Sequence, residues 1–104
     1  MTDFNKFGDF FKNARRVQEQ MEKTQKELSA AEVTGESGGG MVRVLLVGGR
    51  RARQMHIDPS LLGDREMLQD LVAAAVTDAL RKSEHMIGEK MRVSLAGAMQ
   101  TPEE

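Results

Sequence analysis

The stretch EVTGESGGGMVRVLLVGGRRARQMHIDPSLL, Glu32–Leu62, decides the fold. It reads as three short strands followed by a helix start. Glu32–Glu36 is the first strand, and Ser37-Gly38-Gly39-Gly40 turns the chain. Met41–Val47 alternates, with Val42, Val44 and Leu46 on one face and Arg43, Leu45 and Val47 on the other. Gly48-Gly49 predicts a tight hairpin, because primed turns need positive φ and glycine supplies it at no steric cost. Arg51–Ile57 then returns, and strict alternation places Met55 and Ile57 on the face of Arg51 and Arg53. Strands joined by turns this short form an antiparallel meander. Asp58 suits a helix N-cap and Pro59 the first helical position. Gly63 ends that turn, and Asp64 can cap the next helix.

Before the strands, residues 3–31 carry a helical period. Phe7, Ala14, Met21 and Leu28 are seven apart, and Phe10, Val17, Thr24 and Ala31 follow each by three. This a/d pattern is that of a coiled-coil seam, with Thr24 its weak position. Glu19–Lys23 and Glu22–Lys26 add i,i+4 pairs in the favourable order. Gly8 suggests that the helix is firm only from about Asp9. A helix of about 25 residues is roughly 37 Å long. A compact chain of 100 residues has a radius of gyration of about 13 Å. One small domain cannot cover such a helix, which predicts a homodimer with Phe7, Phe10, Ala14, Val17, Met21 and Leu28 as its seam. The phenylalanines Phe4, Phe7, Phe10 and Phe11 plug the start of that seam; apolar wedges between bases are the alternative role.

After the strands, Leu68, Leu71, Val72, Ala75, Val76, Ala79 and Leu80 form a wide apolar stripe on a helix that should cover the sheet. The helical pattern spans 64–96, with Gly88 a candidate kink or stop. Residues 97–104 read as a flexible tail. The expectation is therefore a single α+β domain over 1–104: long N-terminal helix, three-stranded antiparallel meander, C-terminal helix.

Composition narrows the function. The 104 residues suit one domain, and the absence of cysteine excludes a disulfide framework, thiolate zinc sites and a Cys nucleophile. It also fits a reducing cytoplasm. No leader pattern follows Met1, and the longest apolar run, Leu71–Val76, is far short of a membrane span, so a soluble protein without a membrane partner is expected. The net charge is −1, but it is uneven: +1 over residues 1–31, +2 over 32–57 and −4 over 58–104. A local basic surface can survive that total.

Motifs for covalent chemistry are missing. The glycines at 38–40 and 48–49 lack a following GK[ST] and a helix, so they are turns rather than a phosphate loop. His56 and His85 lack the spacing of paired metal ligands. Glu66, Asp70, Asp78 and Glu84 read as a solvated helix face, with no pair singled out for acid–base work. The serines lack a nucleophile elbow. A binding module is expected, with no metal and no cofactor.

The runs EVTGESGGGMVRV, IDPSLL and EMLQDLVAAAVTDAL followed by Arg81-Lys82, together with VQEQMEKTQKEL in the first helix, resemble the YbaB/EbfC family of nucleoid-associated DNA-binding proteins. The likeness covers about Phe7 to Met99; the ending lacks the Pro- and Phe-rich tail of some relatives. The resemblance implies a tweezer-like homodimer with projecting helices. It implies binding to double-stranded DNA with low or modest sequence preference, in the bacterial cytoplasm and nucleoid, with effects on nucleoid organisation and gene expression. It also places DNA contacts on the helices flanking the sheet. Here those helices offer Lys6, Lys12, Asn13, Arg15 and Arg16, then Arg81, Lys82, Lys90 and Arg92. Arg43, Arg50, Arg51 and Arg53 form a secondary candidate surface. The bland readings are a solvated helix face with pairs such as Arg15–Glu19, and a strand edge defended by charge. The rival function is a dimeric adaptor for a replication or recombination protein, which the near-neutral net charge favours.

Overall fold

The computed structural model describes residues 2–99, with side chains from 6 to 97. Its elements are α1 (Thr2–Ala30), β1 (Glu32–Ser37), β2 (Val42–Val47), β3 (Arg51–Ile57) and α2 (Arg65–Met99), with 3-10 turns at Gly38–Gly40 and Pro59–Gly63. The strands form one antiparallel sheet in the order β1-β2-β3. The expected α+β architecture is present. α1 already starts at Thr2 rather than near Asp9, and α2 runs as one helix through Gly88 to Met99. Of the tail expected over 97–104, residues 100–104 lie outside the described part.

Local chemistry sets the boundaries. Gly48 and Gly49 have φ of +67° and +71°, the left-handed values a primed turn needs, and the Arg50 amide donates to the Val47 carbonyl at 3.4 Å. Asp58 accepts from the Ser60 amide at 2.9 Å, and Asp64 caps α2 by accepting from the Met67 amide at 3.1 Å.

One face of the sheet meets α2. Val42 and Val44 are fully buried, and Leu46, Leu61, Ala75 and Ala79 complete the core. Burying each large aliphatic side chain stabilises the fold by roughly 1.5–3 kcal/mol. Gly35 lets β1 lie directly on the backbone of Ala75 and Ala79. The helix covers β1 and β2; of β3 only Ile57 packs against the core, and Arg51 to His56 are exposed.

Strict alternation fails in β3. Leu45 pairs with Gln54 but Leu46 pairs with Ala52, so Arg53 is an extra residue. Met55 and Ile57 stay opposite Val44 and Val42, on the α2 side, whereas Arg51 stands opposite Val47 on the outer side. Arg53 reaches Glu32 across that outer face at 3.1 Å. Arg51 and Arg53 therefore do not share a face with Met55 and Ile57, because one inserted residue reverses the parity of everything before it.

The C-terminal part of α1 packs antiparallel on that of α2. Thr24 Oγ1 donates to Ser94 Oγ at 2.7 Å in a buried contact, and Glu27 faces Lys90. Beyond this contact α1 projects alone among the described residues. The molecule is a rod of 78 × 19 × 18 Å with a radius of gyration of 21.0 Å. A compact chain of this length has about 13 Å.

Candidate nucleic-acid interface

The projecting part of α1 is an arm. Residues 6–15 are all exposed. From Thr2 to Val17 it extends roughly 24 Å. Phe7, Phe10 and Phe11 are 63%, 67% and 66% exposed, with Phe10 and Phe11 in an edge-to-face contact at 5.9 Å. The side chain of Phe4 lies outside the described part. The a/d seam is divided in use. Thr24 and Leu28 are buried against the chain's own α2, while Phe7, Phe10, Ala14 and Met21 face outward and Val17 is half-buried.

The candidate DNA-contact residues fall in separate places. Lys6, Lys12, Asn13 and Arg15 lie exposed on the arm, and Arg16 is half-buried. Lys12 and Arg15 form no ion pair among the described residues. Lys90 pairs with Glu27 at 3.8 Å and Arg92 with Glu89 at 2.8 Å. Along α1, Lys12 and Glu27 are about 22 Å apart, so the arm cations and the Lys90 region do not form one cluster. Arg81 and Lys82 sit earlier in α2, where Lys82 borders β1.

Lys82 has a structural task that the sequence reading missed. Its ammonium pairs with Asp78 at 2.9 Å and donates to the Thr34 carbonyl at 3.3 Å. Asp78 accepts from the Glu36 amide at 2.9 Å. Together they occupy donor and acceptor groups on the free edge of β1, which would otherwise be open to another strand. The Glu36 amide, followed by the Lys82 ammonium, holds the Asp78 carboxyl below its ordinary range. Arg92 does the same to Glu89, and is itself raised by that pairing. The i,i+4 spacing of Asp78 and Lys82 was the available signal, but it did not reveal the strand edge beside them.

On the outer face of the sheet, Arg43 pairs with Glu36 at 3.7 Å and Arg53 with Glu32 at 3.1 Å. Both pairs are solvent-exposed and contribute little stability. Arg50 and Arg51, at the hairpin, form no ion pair among the described residues. Among the described residues there is no group of three or more His, Asp or Glu side chains that could hold a metal ion, and no helix is long and apolar enough to cross a membrane.

A three-stranded meander with one covering helix and a free helical arm defines a small α+β protein of two long helices. The model of the YbaB/EbfC DNA-binding family matches residues 3–99, and the chain belongs to that family. It is also similar to an uncharacterized protein from Helicobacter pylori of known crystal structure. That match has a TM-score of 0.59 and 29% sequence identity, and covers 80% of this chain and 93% of the other.

Proposed function

We propose that this chain binds duplex DNA as a homodimer, chiefly through phosphates, with low or modest sequence preference. In this reading it is a binding module rather than an enzyme, and it acts in the nucleoid of the bacterial cytoplasm on DNA organisation and gene expression. The observation that carries the reading is the arm. In a chain of a DNA-binding family, Lys12 and Arg15 are exposed on a helix that projects clear of the body and form no ion pair among the described residues. Cations so placed can approach a phosphate backbone without first breaking an internal contact. Lys90, Arg92 and Lys82 must exchange a carboxylate for a phosphate, which makes them secondary contributors.

Two surfaces support self-association. The edge of β1 is occupied by Asp78 and Lys82, whereas β3 is exposed from Arg51 to His56 and carries Met55, 45% exposed, on its α2 side. An uncovered edge strand is a template for pairing with a second copy. The arm seam, from Phe7 to Met21, offers the other surface.

A mobility-shift titration of the purified chain on a random-sequence duplex, repeated over a range of salt, tests the function. Binding should weaken linearly in log–log form, with a slope of about −0.9 per phosphate neutralised. Absent or salt-independent binding would overturn the proposal and favour the protein adaptor.

A further inference from the structure

The hairpin turn is wedged between the two helices. The Gly48 amide donates to the Ala31 carbonyl at 2.9 Å. A Cβ at Gly48 would stand 3.1 Å from the Ser29 carbonyl oxygen, and one at Gly49 would stand 3.0 Å from Ile87 Cδ1. Beside this turn is an open cavity of about 440 Å³. Leu28, Val47, Ile87 and Met91 contribute its apolar side chains, and Arg50 and Arg51 also line it. Neither arginine forms an ion pair among the described residues.

The geometry points to a binding site for an acidic peptide segment that carries a bulky aliphatic side chain. The aliphatic side chain enters against Leu28, Ile87 and Met91, and flanking carboxylates meet Arg50 and Arg51. The volume lies within the range of pockets that take organic groups of side-chain to drug size. Charge complementarity selects the flanking residues, since a guanidinium fork matches a carboxylate. The apolar floor selects a peptide over DNA. A phosphate backbone would satisfy the arginines but leave the floor empty, and Phe7, Phe10 and Phe11, on which a base could stack, lie on the arm and do not line this cavity. This site is separate from the arm cations and stands whether or not they bind DNA.

The test uses the full chain and fluorescein-labelled hexapeptides, read by anisotropy. The probe is Glu-Asp-Leu-Leu-Asp-Glu; the control is Glu-Asp-Ser-Ser-Asp-Glu. The probe should bind and the control should bind at least about tenfold more weakly. Ser29→Trp, at an exposed position on the cavity wall, should fill the space and weaken probe binding by at least about tenfold without loss of circular-dichroism signal. Arg50→Glu with Arg51→Glu should do the same, and added salt should reduce binding to the unaltered chain. Equal binding of probe and control, or no effect of Ser29→Trp, overturns the proposal. So does a duplex oligonucleotide that binds more weakly to the double charge reversal but equally well to Ser29→Trp when no peptide binding is seen, which assigns the arginines to DNA.

Discussion

The backbones of Gly35 and Ala79 are in direct apposition. A Cβ at position 35 would stand 2.5 Å from the Ala79 Cα and 2.5 Å from the Ala75 carbonyl oxygen. These are backbone atoms of a long helix, so no side chain can swing aside. Gly35→Ala should therefore destabilise the fold by about 3 kcal/mol, at the upper end of ordinary overpacking. Urea denaturation followed by circular dichroism measures this; a loss below about 1 kcal/mol would show that α2 can lift off β1 at little cost.

The Thr24–Ser94 hydrogen bond joins the helices in a buried contact. Thr24→Val or Ser94→Ala alone leaves one hydroxyl without its partner and should cost about 1–2 kcal/mol. The double substitution removes both and should cost less than the sum of the singles, which a double-mutant cycle detects. Ser83 is the contrasting case. Its hydroxyl is buried and unpartnered in this structure, so Ser83→Ala should be neutral or stabilising by up to about 1 kcal/mol in the same denaturation assay.

Asp78 gives the β1 edge a pH dependence. Its carboxyl titrates below the ordinary value because the charged form accepts from the Glu36 amide and pairs with Lys82. A depressed folded-state value means that the clamp is fully present above the unfolded carboxylate range and is lost as pH falls through the folded value. Hydrogen exchange at the Glu36 amide, corrected for its intrinsic pH dependence, should lose protection in that acid window. Asp78→Asn should remove most of the pH response; an unchanged response would assign it elsewhere.

On the arm, Lys12→Ala with Arg15→Ala should weaken DNA binding similarly across sequences. It should also reduce the log–log salt slope by about two per chain, if each cation neutralises one phosphate. Lys90→Ala with Arg92→Ala should have a smaller effect, since both already face carboxylates. Equal effects would give the paired cations of α2 the same weight as the arm.

Self-association should depend on β3. Met55→Glu, at a 45% exposed position on the uncovered strand, should give a monomer in sedimentation equilibrium. Phe10→Glu should leave a dimer. The opposite outcome would move the interface to the arm seam, where Phe10 is 67% exposed.

Much of the architecture was legible in the chain itself. The valine and leucine alternation of β2, the glycine hairpin and the Asp58-Pro59 and Asp64 caps act through local conformational preference or simple period, and each appears where the residues place it. The α2 stripe does so from Leu68 to Ala79, but Leu80 turns away from the sheet and is 46% exposed. The heptad of α1 was equally visible, but periodicity shows that a face is apolar and not what covers it. Only the tertiary structure divides that face, giving Thr24 and Leu28 to α2 and leaving Phe7 and Phe10 uncovered. The bulge at Arg53 was invisible for a related reason: parity is set by pairing with β2, not by β3 alone. The role of Lys82 at the β1 edge depends on contact between residues 48 positions apart. The sequence by itself thus determined the elements, their order and their turns, because those follow from neighbours along the chain. The three-dimensional packing decided which edge is closed, which strand and arm stand free, and which cations are already engaged, because those follow from neighbours in space.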